Sequence, residues 1–274
     1  MPRGLLPLPL LVLLAAPAAA GVPPAFDDAP LRAVRFVDDK VGWAVGDGGA
    51  VFQTIDRGKT WERLRLGTRA NLRSVCFLTP YTGWIAGRQE LPNGAGSVGV
   101  ILHTADGGVN WTELTGTALP GLNAVRFFDE RTGVAVGDGT DALPSGVFTT
   151  DDGGRTWKPT TGPRATTWLA GEFSAPGRGV VAGAWSRLML VRDGKLTPAE
   201  LDPMAGRAVR GLAADGDRMV AVADGGRVLV SGNGGVKWGF ADLPLPAAAL
   251  GGLDLRCITT AGNHVWAAGR PGSV

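Results

Sequence analysis

A turn of eight residues, made four times, constrains this chain more than any other feature: TIDRGKTW (54–61), TADGGVNW (104–111), TDDGGRTW (150–157) and SGNGGVKW (231–238). Its constant parts are Ser or Thr, then Asp or Asn (Asp56, Asp106, Asp152, Asn233), Gly (Gly58, Gly108, Gly154, Gly235) and Trp (Trp61, Trp111, Trp157, Trp238). The Asp/Asn positions lie 50, 46 and 81 residues apart, and the longest interval holds a degenerate copy at VRDGKL, where Asp193-Gly194 remain and the Trp is lost. A period of about 40 to 50 residues is that of propeller blades. A short carboxylate or carboxamide accepts hydrogen bonds from the amides of its own turn, and Gly takes positive φ without steric cost. The octet therefore reads as a structural staple of a hairpin, with the Trp ring packed beside it. A calcium loop would need several more oxygen ligands than each octet offers.

Each period carries the same strands. An opening strand reads LRAVRF (31–36), LRSVCF (72–77), LNAVRF (122–127), WLAGEF (168–173), VRGLAA (209–214) and LRCITT (255–260). A second reads GWAVG, GWIAG, GVAVG, GVVAG, MVAVA and VWAAG, and a third reads AVFQT, VILHT, GVFTT, LMLVR and RVLVS. A short fourth follows the turn. These runs are rich in Val, Ile, Phe and Trp, are bounded by Gly and Asp, and show no helical period. The expected fold is all-β, a propeller of four-stranded blades. Five repeats are whole and a sixth stops after its second strand at Val274. Because an open blade edge invites aggregation, that stop predicts a fragment or a chain completed by another element, with six to seven blades when complete.

The octets are Asp-box (BNR) repeats, and the mature sequence resembles that propeller superfamily throughout. The combined pattern L-x-S/A-V-x-F, G-W-A-V-G, G-x-V-F-x-T and D-x-G-x-T-W is similar to the repeat of the photosystem II stability/assembly factor family. The resemblance implies a seven-bladed, non-catalytic propeller that assists assembly of a membrane complex, and relatives of this kind also occur in exported bacterial proteins with no link to photosynthesis.

Residues 1–20 have a basic start at Arg3, an apolar run to Leu14 and Ala18-Ala19-Ala20 before Gly21. This reads as a secretory signal, too short and too proline-interrupted for a membrane span. With residues 21–30 as a linker, 31–274 form the propeller, expected in the periplasm or outside the cell. No Cys follows the small residues, so a lipid anchor is not expected, and no integral membrane segment remains after signal removal. Without Arg3 the chain carries 26 basic and 25 acidic residues, a balance that does not advertise nucleic-acid binding. Cys76 and Cys257 fall in non-neighbouring repeats and are expected as unpaired residues on buried strands. No Cys/His cluster has metal-ligand spacing, and no cofactor is expected.

In a propeller, the residues opening the innermost strands share one face with the loops between strands two and three, and the octet turns lie on the other. Arg32, Arg73, Arg210 and Arg256 hold one register on that face, with Asn123 and Leu169 in the remaining repeats. Long loops at 88–99, beginning with Arg88, and 138–146 sit beside them. Converging guanidiniums would bind carboxylates or phosphates bidentately. The alternative is that each is paired with a local acid. Glu172, in the fourth opening strand, is the nearest such acid by repeat position.

The expected partner is a protein or an acidic peptide segment, with an acidic glycan as the alternative. A sialidase would need a Tyr nucleophile with a Glu partner, and the sole tyrosine, Tyr81, lies in a turn between strands one and two, away from the arginine register. Glucan-cleaving enzymes of this type need a carboxylate pair between two propellers, which this chain cannot build, although Glu90, Asp138 and Asp141 are candidate acids. His103 and His264 have no Ser or Cys motif around them. The reading is a non-enzymatic exported platform, and a sialidase- or glycoside-hydrolase-like propeller binding or cleaving an acidic glycan is the alternative.

Overall fold

Each repeat becomes one antiparallel sheet in the computed structural model, which describes residues 10–12, 29–114, 116, 118–202, 204, 206–243, 252–262 and 264–271. A first strand, β1 (Leu10–Val12), precedes the repeats. Blade one is β2 (Leu31–Phe36), β3 (Gly42–Gly46), β4 (Val51–Thr54) and β5 (Glu62–Leu64). Blade two is β6 (Asn71–Phe77), β7 (Gly83–Glu90), β8 (Ser97–Thr104) and β9 (Thr112–Glu113). Blade three is β10 (Leu122–Phe127), β11 (Gly133–Gly137), β12 (Val147–Thr150) and β13 (Lys158–Pro159). Blade four is β14 (Trp168–Ala175), β15 (Arg178–Gly183), β16 (Leu188–Arg192) and β17 (Lys195–Pro198). Blade five is β19 (Val209–Asp215), β20 (Arg218–Ala223), β21 (Arg227–Ser231) and β22 (Lys237–Phe240), with β18 (Glu200–Leu201) parallel on its outer edge. Blade six has β23 (Leu253–Ala261) and β24 (His264–Pro271), and β1 runs parallel to β24. The rest of the expected signal segment, residues 1–9 and 13–20, lies outside the described residues.

The octets form the staple expected of them. In blade three, Thr150 Oγ1 donates to Asp152 Oδ1 and accepts from Gly154 N at 3.0 Å, while Asp152 accepts from Thr156 N at 2.9 Å and Thr156 Oγ1 at 2.6 Å. Trp157 Nε1 then donates to Gly154 O at 2.9 Å, and Gly154 has φ +90°. Blades one, two and five repeat this arrangement. Hydrogen bonds from Thr60 hold Asp56 at a pKa of about 2; at Asp152 burial pushes the pKa up, but the bonds from Thr156 and Thr150 together outweigh it and hold it at about 2. Blade four departs from the expectation. Its Asp193-Gly194 is not a shortened octet but a two-residue hairpin turn with both residues at positive φ, +49° and +73°. That is the turn whose twist matches its flanking strands.

Blade-to-blade packing repeats as well. Trp43 of blade one stacks on Phe77 of blade two, centroids 3.5 Å apart and planes 7° apart, and Trp84 stacks on Phe127 of blade three at 3.8 Å and 9°. Each Phe also meets the octet Trp of its own blade edge-on at 6.0 Å. The glycine that closes strand two is required by close approach: a Cβ on Gly137 would run into the carbonyl oxygen of Gly121.

On blade one the corresponding face is uncovered. Leu31, Val34 and Phe36 are exposed, whereas Leu72, Val75 and Phe77, and Leu122, Val125 and Phe127, are buried at the same positions. This face borders a cavity of about 960 Å³ whose far wall includes Cys257, Ile258 and Trp266 of blade six. Cys76 is buried, as expected, but Cys257 is exposed because it faces this opening; both are free.

Candidate functional site: a bulged arginine register

Every opening strand carries a β-bulge at the second residue of its repeat motif. The pairing skips from Leu31 to Ala33, Leu72 to Ser74, Leu122 to Ala124, Trp168 to Ala170, Val209 to Gly211 and Leu255 to Cys257. The skipped residues are Arg32, Arg73, Asn123, Leu169, Arg210 and Arg256, which are the expected register. A bulge leaves one residue outside the ladder and re-aims its side chain, so the backbone irregularity is what presents this column of residues.

The arginines do not form a bare cationic ring. Arg32 Nε donates to Asp47 Oδ1 at 3.0 Å and Arg32 Nη2 pairs with Asp47 Oδ2. Arg210 Nη2 donates to Asp224 Oδ2 at 2.8 Å, and Arg256 Nη2 lies 3.6 Å from Asp254 Oδ2. Arg88 is clasped by two acids: its Nε donates to Glu90 Oε1 at 2.7 Å, and its Nη1 and Nη2 donate to Asp138 at 3.2 and 2.8 Å. Ser97 Oγ completes this cluster, donating to Asp138 at 2.7 Å. The local-pairing alternative thus describes most of the register. Asp47, Asp138 and Asp224, which serve Arg32, Arg88 and Arg210, each follow strand two directly, whereas Asp254 lies two residues before Arg256 in its own strand. This second column recurs in the sequence as an Asp placed directly after the GWAVG, GVAVG and MVAVA strands.

Arg73 is the exception. Its nearest acid is Asp47 at 3.8 Å, and both oxygens of Asp47 already serve Arg32. Its Nε is buried and has no hydrogen-bond partner among the described residues. Burial, then Arg32 and Arg88 beside it, pull its pKa down. Asn123 behaves differently again: its amide donates to Trp168 O at 2.8 Å and Thr167 Oγ1 at 3.2 Å, which ties blade three to blade four.

Glu172 does not join this face. It lies among residues of the central channel with Arg35 and Arg126, and burial raises its pKa while those two cations oppose the rise. Glu90 and Asp138 are both spent on Arg88, and Asp141 pairs with Arg164 at 2.7 Å. Tyr81 is exposed beside the octet turn of blade two, with its carbonyl accepting from Gly107 N. His103 packs against Trp84 at 4.9 Å, and burial lowers its pKa. Among the described residues no group of acids, histidines and cysteines has the geometry of a metal site, and no helix is long and apolar enough to cross a membrane.

The curated photosystem II assembly lipoprotein Ycf48 of Synechococcus sp. (strain CC9902) is 31% identical over 132 residues, covering 46% of this chain and 35% of that protein. The aligned stretch thus spans about a third of that relative. A solved structure of YCF48 bound to D1 peptide superposes with a TM-score of 0.65 at 22% identity, covering 88% of this chain and 75% of that one. The GH74 enzyme of Niastella koreensis superposes at 0.57 with 15% identity, covering 77% of this chain and 38% of that one, a likeness of fold alone. The sequence also matches, over residues 25–274, the family described as photosynthesis system II assembly factor YCF48. With the repeats, the stapled turns and the propeller sheets in agreement with that match, the chain belongs to the YCF48 family of photosystem II assembly factors.

Proposed function

We propose that this chain is an exported, non-enzymatic propeller that acts as a protein-binding platform in assembly of a membrane complex, and that its bulged arginine face receives an acidic segment of the partner polypeptide. The observation that carries the reading is Arg73. It is a half-buried guanidinium beside Arg32 and Arg88, and the one acid within ion-pair distance among the described residues, Asp47, is already committed to Arg32. A partner carboxylate would satisfy it bidentately and offset the repulsion from both neighbours. Family membership and the D1 peptide held by a YCF48 structure support a polypeptide partner. Export through residues 1–20 belongs to the same proposal. The glycan-cleaving alternative draws no support from the acids near this face, since Glu90 and Asp138 share one guanidinium and glycoside hydrolysis requires one carboxylic acid beside one free carboxylate.

The test is titration of wild type and Arg73→Gln with an acidic peptide and with sialic acid at two salt concentrations. Peptide binding that weakens with salt and falls about tenfold in the variant supports the site. Equal affinity in the two proteins removes Arg73 from it, and turnover of a sialoside replaces the reading with the alternative.

A further inference from the structure

On the face opposite the arginine register, blade four carries a row of like charges. Its first hairpin turns through Pro176-Gly177, so Ala175 pairs with Arg178. Its last turns through Asp193-Gly194, so Arg192 pairs with Lys195. The middle pair in the same row is Arg178 with Arg192. Directly opposite residues of antiparallel strands project from the same side of a sheet, with neighbouring strands ~4.8 Å apart. Arg178, Arg192 and Lys195 thus stand side by side on one surface of the blade. Like charges placed directly opposite one another destabilise a sheet. Among the described residues, none of the three side chains makes a hydrogen bond or an ion pair.

This alignment of like charges has a structural origin. Blades one, two, three and five end strand three in the Ser/Thr of the octet and turn through the longer stapled loop. Blade four has Val191 at that position and a tight turn instead, which brings strands three and four to face each other up to their ends. Two of the three cations, Arg178 and Arg192, border a cavity of about 560 Å³ that runs inward to Arg126 and Glu172, with Ser174 and Asp217 on its wall.

We propose that this row is an anion site that takes a dianionic oxyanion of the phosphoryl class, either free or carried by a small molecule that fits the cavity. A monocarboxylate can be held by one guanidinium and would leave the remaining pair in conflict. A tetrahedral dianion has enough oxygens to engage two guanidiniums and an ammonium together, and Arg matches such groups bidentately. At the inner end Arg126 faces Glu172, so that end offers an anion no net positive charge, and the uncompensated cations are those of the outer row. The site is independent of the arginine register and of the partner proposed for it.

The experiment is thermal unfolding of the full chain at pH 7.5 in chloride, acetate, sulfate and inorganic phosphate at equal ionic strength. It is repeated with glycerol phosphate, and each series is run on wild type and on Arg192→Gln/Lys195→Gln. The expected result is that the dianions raise the wild-type Tm by several degrees beyond chloride and acetate. The double variant should melt higher than wild type in chloride, because the repulsion is gone, and lose the response to dianions. A glycerol phosphate effect larger than that of phosphate identifies the carried group, and the reverse identifies the free ion. Chloride acting as well as phosphate means simple screening and overturns the site. A dianion response that survives in the double variant places the anion elsewhere and also overturns it.

Discussion

Trp43 lies flat on Phe77 across the boundary between blades one and two, centroids 3.5 Å apart. The relationship couples the second strand of one blade to the opening strand of the next, and Trp84 with Phe127 repeats it one blade on. The recurring spacing of these residues is therefore a device for joining blades as well as for building them. Phe36, at the same repeat position, meets Trp61 edge-on but has no stacked tryptophan among the described residues, and it is exposed.

The two phenylalanines form an internal comparison. Phe127→Ala removes a fully buried ring held between Trp84 and Trp157 and should cost about 3–5 kcal/mol. Phe36→Ala at the equivalent site should cost well under half of that, because its ring is already in contact with solvent. Denaturant unfolding of the two variants measures the difference; equal losses would show that blade one is covered in solution.

Asp152 links the octet to pH. Its folded pKa of about 2 lies below the ordinary carboxylate value. Its contribution is therefore fully present above that ordinary value and is lost as pH falls through about 2. Asp152→Ala should lower stability at neutral pH by about 1 kcal/mol. Asp152→Asn should lose less, since Asn233 already accepts from Lys237 N at 3.0 Å in the same role, and it should flatten the acid limb of the Tm–pH curve. An unchanged acid limb in Asp152→Asn would assign the acid sensitivity to other carboxylates.

Gly137 tests the close approach at the end of strand two. A methyl group there meets the backbone oxygen of Gly121 with no flexible atom to move aside, so Gly137→Ala should cost about 1–3 kcal/mol. Gly232→Ala, where a Cβ meets nothing within 4 Å, should be nearly neutral. Thermal melts of both variants decide whether the glycines matter for approach or only for turn propensity.

Asp47 sets the charge of the arginine face. Asp47→Asn leaves Arg32 without its bidentate partner and Arg73 without its nearest anion. The variant should melt lower than wild type yet bind an acidic peptide several-fold more tightly, with a steeper salt dependence. Weaker binding in this variant would mean that Asp47 positions the arginines rather than neutralises them.

The fold was legible in the repeats because local chemistry dictates it. A Thr, Asp, Gly and Trp at fixed spacing can satisfy their own turn, and alternating apolar runs between such turns leave four strands per period. The arginine register was legible as a column for the same reason. Its charge state was not, because Asp47, Asp138 and Asp224 reach their arginines only when strand two returns beside strand one or one blade meets the next. Glu172 shows the limit most plainly. Repeat position puts it near the register, but the bulge shifts the strand by one residue and the side chains beyond it line the channel instead. The row of Arg178, Arg192 and Lys195 depends on two turn lengths acting together, and a pairing of strands is a long-range contact that no single stretch of sequence contains.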